Sequence, residues 1–118
     1  FKRKVGAIFI NSDFEILSTG YNASPKGFPH CDYLTDNCTC GNPCNRTIHA
    51  EQNAITQAAK RGTSLAKSIL YCTYAPCITC ARLLVNLDIT AICFKESNQD
   101  GGLDILNIAG IKIIDWNL

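Results

Sequence analysis

The sequence contains no methionine, no extended run of Lys or Arg and no long apolar stretch. Without a methionine, the first residue cannot be a translation start, so we expect a further segment upstream of it. A formal net charge of +1 provides no field that would gather a long polyanion, which argues against extended nucleic acid as a partner. Because no segment approaches the ~20 apolar residues of a membrane helix and no signal-peptide core is present, we expect a soluble, cytoplasmic protein without membrane contact.

The length and composition are those of one folded domain. The chain has 118 residues, of which 47% are hydrophobic and 18% are charged, a balance typical of a globular protein. We therefore expect a single domain over residues 1–118. Eight cysteines would suit a disulfide framework in a small secreted protein, but nothing in the sequence indicates export, so the cysteine content favours metal ligation.

The hydrophobic pattern predicts a ββαβαβαβ order of elements. Apolar segments at residues 4–11 and 15–21 predict a β-hairpin, and residues 22–45, rich in Gly, Pro, Asn and Cys, predict a long loop with a function or a ligand. The later predicted elements are a helix at 47–61, a strand at 68–73, a helix at 77–86, a strand at 89–94, a helix at 103–109 and a strand at 111–115. Alternating helices and apolar strands predict a three-layer α/β/α sandwich with a five-stranded mixed sheet.

Two short motifs open the first two predicted helices. His49-Ala50-Glu51 opens one, and Pro76-Cys77-Ile78-Thr79-Cys80 opens the other. Helices that follow parallel strands begin near the carboxyl ends of those strands, which is where open α/β folds place their ligands. We therefore expect the two helix starts to meet at one edge of the sheet.

His49, Cys77 and Cys80 form a candidate zinc site. The two cysteines are one helical turn apart, and the helix N-terminus favours the thiolate form of both. Three protein ligands leave the fourth tetrahedral position to water, which is typical of a catalytic zinc site. Glu51 can reach that water without binding the metal, so we expect it to act as the proton shuttle.

A lone Cys-x-x-Cys pair is often a structural zinc knuckle or a redox pair. The combination of His-x-Glu with Pro-Cys-x-x-Cys, however, is the signature of zinc nucleobase deaminases. A purely structural zinc site also has no use for a carboxylate beside three ligands, and it needs a fourth ligand close by. The whole pattern therefore favours catalysis.

Four further cysteines lie within the predicted loop, namely Cys31, Cys38, Cys40 and Cys44. Four thiols this close in sequence can form a second, structural zinc site. Two other interpretations remain open: only some of the four bind metal, together with His30, or all are unpaired thiols in a reducing cell. Zinc stoichiometry would distinguish them.

Beyond the zinc motifs, several segments resemble the deoxycytidylate deaminases of the cytidine deaminase superfamily. They are Lys4-Val5-Gly6-Ala7, Thr19-Gly20-Tyr21-Asn22-Ala23-Ser24-Pro25, Arg46-Thr47-Ile48-His49-Ala50-Glu51 and Asn53-Ala54-Ile55. The Gly-Tyr-Asn-x-Ser-Pro turn is the most specific of these, and the likeness covers about residues 4 to 114. The resemblance implies a cytidine deaminase-like fold whose N-terminal helix is missing from this chain.

The same resemblance implies a function and substrate contacts. The expected reaction is the zinc-dependent hydrolysis of dCMP to dUMP and ammonia, which supplies dUMP for thymidylate synthesis. Asn22 is expected to bind the sugar or base, the backbone at Ala50 to line the base pocket, and a basic residue near Lys2 to meet the 5′-phosphate. Members of the family are also regulated by dCTP and dTTP and are commonly hexamers, so we expect those effectors and a homo-oligomer.

Two other functions are compatible with the zinc motifs. One is deamination of another substrate, such as cytidine, a guanine-like ring or adenosine in tRNA, because the zinc chemistry is shared. The other is a catalytically silent module that keeps zinc for structure or binds a nucleotide for regulation. The presence of Glu51 argues against a silent module, because no structural role requires that residue.

Overall fold

The computed structural model describes residues 4–27, 47–97 and 100–116. Its elements follow the predicted order, with bounds β1 (Gly6–Ile10), β2 (Ile16–Tyr21), α1 (Ala50–Arg61), β3 (Ile69–Tyr74), α2 (Ile78–Leu87), β4 (Ala91–Glu96), α3 (Gly102–Ile108) and β5 (Lys112–Asp115). Each predicted strand and helix is present, and the bounds differ from the predicted ones by a few residues. Periodicity was therefore sufficient to identify the type of every element.

The strands form one five-stranded mixed sheet with the order β2-β1-β3-β4-β5. Strand β1 is antiparallel to both β2 and β3, whereas β3, β4 and β5 are parallel to one another. The predicted mixed α/β sheet is thus confirmed. The crossovers through α2 and α3 place the starts of both helices at the carboxyl edge of the parallel strands, as expected for βαβ units.

Helix α1 begins at Ala50, three residues later than its predicted start. The reason is that Ile48 forms an isolated bridge with Ala23, in which the Ile48 amide donates to the Ala23 carbonyl at 2.7 Å. The helix ends at Gly62, whose φ of 70° is the left-handed conformation common after a helix. None of the helices in the described ranges has the length and apolar character to cross a membrane.

The hydrophobic core lies between the sheet and its helices. Every second residue of a strand projects into this core, because successive side chains of a strand point to opposite faces of the sheet. Phe9 of β1 and Leu70 of β3 are cross-strand partners and therefore lie on the same face. These residues pack with side chains from all three helices, and the central members are fully buried: Phe9, Leu70, Ile92, Leu84, Leu106 and Ala54. In the part of the chain that the structure describes, the helices therefore cover one face of the sheet.

The opposite face of the sheet is more open. Its side chains include Ile8, Tyr21 and Trp116, which are 38%, 62% and 41% exposed. A shallow cavity on this face is lined by Ile8, Tyr71 and Trp116, among others. The three-layer sandwich expected from the sequence has a second helical layer on this face, and no described residue belongs to that layer.

Candidate active site

The start of α1 is held in place by three contacts. The His49 amide donates to Gln52 Oε1 at 3.0 Å, so Gln52 closes the first turn of the helix. The bridge between Ala23 and Ile48 ties the residue before His49 to the end of β2. Gly20 of β2 lets the helix approach closely, since a Cβ at Gly20 would lie 2.4 Å from the Ala50 carbonyl oxygen. The backbone of His49 is therefore fixed from both sides.

The start of α2 follows directly from β3. The amide of Ala75 donates to the carbonyl of Glu96 at 2.7 Å, which keeps the chain beside β4 for one more residue. Cys77 then takes the N-cap position with extended backbone, and its carbonyl accepts from the Ala81 amide at 2.8 Å. Cys80 lies in the first turn and is fully buried. Both sulfurs therefore belong to one rigid turn at the edge of the sheet.

The two helix starts meet, as the sequence predicted. His49 Nδ1 lies 3.3 Å from the sulfur of Cys80 and 3.5 Å from the sulfur of Cys77. The three ligand atoms all lie within 4.8 Å of one another. In a tetrahedral Zn²⁺ site with ordinary bond lengths, nitrogen and sulfur ligands lie about 3.6 Å apart. The three residues therefore fit a zinc ion bound through Nδ1 of the histidine, and they form the metal triad of this site.

Protonation within the metal triad also suits a cation. Hydrogen bonds from Cys80 and from His49 lower the pKa of Cys77 to about 3. The contact with that thiolate raises the pKa of His49, and the hydrogen bond to Cys77 together with burial raises the pKa of Cys80. The lowered pKa favours the thiolate of Cys77, the form that binds a metal, with Cys80 and His49 as its hydrogen-bond donors. A bound cation replaces the protons of those donors, so metal binding releases protons.

Glu51 is buried beside the metal triad. Its side chain is only 4% exposed, and burial raises the pKa of the carboxyl, although the charge of His49 and the contact with Cys80 oppose that rise. The charge of Glu51 in turn helps to raise the pKa of the Cys72 thiol, after the larger effect of burial. A raised pKa makes the carboxyl a better proton acceptor than an exposed glutamate, which suits a general acid and base.

Comparison with known proteins agrees with this geometry. The family described as the cytidine and deoxycytidylate deaminase zinc-binding region matches residues 1–96. This chain belongs to that family. The predicted zinc cofactor is likewise confirmed, because the family region binds zinc and the described residues supply a His/Cys/Cys group.

Individual deaminases of the family align with most of the chain. The deoxycytidylate deaminase of enterobacteria phage T4 is 30% identical, in an alignment covering 95% of this chain and 78% of the phage protein. The deoxycytidylate deaminase of Schizosaccharomyces pombe is 29% identical over 95% of this chain, but the chain spans only 37% of that relative. The crystal structure of dCMP deaminase from cyanophage S-TIM5 with dCMP and dUMP superposes with a TM-score of 0.84 at 28% identity, covering 98% of this chain and 82% of the phage chain.

Two of the residues predicted to contact substrate lie in the described ranges. Asn22 is at the end of β2, next to the bridge that leads to His49, and its Oδ1 accepts from the Val5 amide at 2.8 Å. Ala50 is buried, and its carbonyl faces Gly20. Lys2 lies outside the described residues. So do His30 and the candidate ligands of a second zinc: Cys31, Cys38, Cys40 and Cys44.

Three residues with structural roles at this deaminase site were not identified from the sequence. Gln52 had a detectable signal, because it stands three residues after the helix N-cap, the spacing of a capping box. Gly20 and Gly102 had no detectable signal in the sequence, because each is a glycine where the backbone of another segment approaches too closely for a side chain. A Cβ at Gly102 would lie 2.2 Å from the Pro76 carbonyl oxygen. Such contacts exist only in the folded chain.

Proposed function

We propose that this chain is a deoxycytidylate deaminase that converts dCMP and water into dUMP and ammonia, with zinc held by His49, Cys77 and Cys80. The observation that carries the proposal is the convergence of two helix starts on one metal triad. His49 Nδ1 lies 3.3 Å from the sulfur of Cys80 and 3.5 Å from the sulfur of Cys77. The buried carboxyl of Glu51 beside the triad supplies the acid and base chemistry. A structural zinc site would need a fourth ligand and would have no use for that carboxyl.

Zinc and the protein have separate tasks in this reaction. Zinc bound by the triad supplies Lewis acidity, which makes water a nucleophile near neutral pH. His49 brings one neutral ligand and the two cysteines bring negative charge, so the centre carries little net charge. Burial of Cys80 and Glu51 keeps bulk solvent away from the reacting atoms, which strengthens the electrostatic interactions there.

Glu51 moves two protons during the reaction. It first takes a proton from the attacking water as the oxygen bonds to C4 of the cytosine ring, and it passes that proton to N3. It then takes the remaining proton of the new hydroxyl and delivers it to the 4-amino group. The C4–N bond breaks, ammonia leaves, and C4 keeps the oxygen as the carbonyl of uracil. Glu51 ends in the protonation state in which it began.

The substrate contacts are part of the same proposal. Asn22 is proposed to bind the sugar or base, with the Ala50 backbone lining the base pocket and Lys2 near the 5′-phosphate. Support comes from the family resemblance and from the hydrogen bond of Asn22 to the Val5 amide, which fixes the orientation of the Asn22 amide group. The position of Asn22 beside the bridge to Ile48 places it on the same edge of the sheet as the metal triad.

Regulation and assembly follow from the family rather than from a contact in this chain. We infer that dCTP and dTTP act as effectors of the enzyme, and that the functional form is a homo-oligomer such as a hexamer. A second, structural zinc bound by the loop cysteines at positions 31, 38, 40 and 44 also belongs to this proposal. Two zinc ions per chain would support the second site, and one would exclude it.

The experiment is a side-by-side measurement of ammonia release from dCMP, dCTP, deoxycytidine, cytidine and guanine, with and without dCTP and dTTP as effectors. We expect kcat/KM to be highest for dCMP. Equal rates with deoxycytidine would contradict a role for the 5′-phosphate, and a preference for guanine would identify a different deaminase.

A further inference from the structure

The start of α3 packs against the segment that carries the first cysteine of the metal triad. Gly102 is buried, and a Cβ placed on it would lie 2.2 Å from the Pro76 carbonyl oxygen, 3.0 Å from the Cys77 carbonyl carbon and 3.1 Å from the Cys77 oxygen. All three atoms belong to the backbone. A change of side-chain rotamer therefore cannot relieve the contact, and one of the two segments has to move.

The start of α3 is held firmly. The Gly102 amide donates to Asp100 Oδ1 at 3.0 Å, which holds the first residue of the helix. Further along α3, Leu106 is completely buried in the core that it shares with Leu84 of α2. A side chain at position 102 would thus push the Pro76–Cys77 segment and the start of α3 apart.

Displacement of this segment would change the metal triad. The Cys77 carbonyl accepts the Ala81 amide at 2.8 Å, so Cys77 is tied to the first turn of α2, which also carries Cys80. His49 is the N-cap residue of α1, a separate element from the turn that carries the two cysteines. The distances from His49 Nδ1 to the two sulfurs would therefore change together. Metal–ligand distances in a well-formed site lie within about 0.2 Å of their usual values, so such a change would affect zinc binding.

We propose that Gly102 is a positioning residue of the metal centre: the absence of a side chain there sets where the cysteine pair lies relative to His49. This inference rests on the metal triad of the proposed function but not on the identity of the substrate. It assigns to α3, which contributes no ligand, a direct effect on the affinity for zinc and on the coordination geometry.

The test compares Gly102→Ala with Gly62→Ala. Gly62 has a φ of 70° and no atom within 4 Å of a built Cβ, so its substitution strains the end of α1 far from the triad.

Zinc affinity is measured by competition with a chelator, and geometry by the absorption spectrum of the protein loaded with Co²⁺. We expect zinc affinity to fall by about 10- to 100-fold in Gly102→Ala, as for other residues that support metal ligands, with an altered Co²⁺ spectrum. Gly62→Ala is expected to lose stability and to keep both properties.

Wild-type zinc affinity and an unchanged Co²⁺ spectrum in folded Gly102→Ala would overturn the proposal. If that variant does not fold, the exposed Asp100→Ala decides, because it releases the start of α3 without adding an atom. A several-fold loss of zinc affinity in Asp100→Ala supports the proposal, and wild-type affinity overturns it. Both readouts use the metal alone, so an error in the proposed substrate would leave them unaffected.

Discussion

The two halves of the site are built in different ways. The cysteine half, residues 76–81, places two ligands on one helical turn and directly follows a core strand. The histidine half, residues 48–52, supplies one ligand and the carboxyl of Glu51, and it is tied to the end of β2 by the bridge between Ala23 and Ile48. In the proposed reaction the tasks differ as well: the cysteine half supplies two of the three metal ligands, whereas the histidine half supplies the third ligand and the carboxyl proposed to transfer protons.

Loss of a cysteine ligand is expected to have the largest effect. Cys77→Ala leaves two of the three ligands, so we expect zinc to be lost and deamination to fall to background. Zinc content by elemental analysis and ammonia release measure the two effects. Cys93→Ala is the control, because it also replaces a cysteine, and Cys93 lies on β4 outside the metal triad. Retention of zinc and activity in Cys77→Ala would show that the metal triad is assigned wrongly.

Glu51→Gln separates the two tasks. The substitution keeps the shape of the side chain but removes its capacity to accept a proton, so we expect kcat to fall by about 10²- to 10⁴-fold. Zinc content is expected to remain at the wild-type level, since Glu51 is not a ligand. Single-turnover ammonia release with the zinc-loaded protein is the appropriate measurement. Normal turnover in this variant, with zinc present, would contradict the proton-shuttle role.

Gly20→Ala tests whether the histidine half depends on close packing as the cysteine half does. A Cβ at position 20 would lie 2.4 Å from the Ala50 carbonyl oxygen and 2.5 Å from the Ala54 amide. Overpacking of this kind costs about 1–3 kcal/mol of stability, and the displaced helix would carry His49 and Glu51 with it. Denaturant unfolding measures the cost. Gly6→Ala is the control, since Gly6 lies on the neighbouring strand with nothing within 4 Å of a built Cβ.

Gln52→Ala is expected to have the smallest effect. It removes the acceptor for the His49 amide, and the loss of such a capping interaction costs about 0.5–2 kcal/mol. We expect a modest fall in stability and a small loss of zinc affinity, because the backbone bridge between Ala23 and Ile48 still holds the residue before His49. Gln57→Ala, on the same helix but away from its start, controls for a general effect on α1. A larger fall in zinc affinity than in Gly20→Ala would show that the cap matters more to the histidine half than close packing does.

Most of the fold could be predicted from the sequence because its signals are local. Apolar periodicity is a property of neighbouring residues, and it identified all eight elements. The predicted start of α1 is too early, since Ile48 fits the helical spacing of the apolar residues that follow it. A tertiary contact, the bridge from Ile48 to Ala23, makes that stretch extended instead of helical.

The sequence by itself determined the candidate chemistry of this protein: a histidine and two cysteines one turn apart predict a zinc ion, and a glutamate two residues from the histidine predicts the proposed proton carrier. These assignments depend on residue type and short spacing, which are visible in the unfolded chain. Only the tertiary structure decided how the two motifs meet, which Nδ1 to sulfur distances result, and why Gly20 and Gly102 carry no side chain. Those properties depend on segments far apart in sequence, whose contact is set by the strand order and the packing of the core.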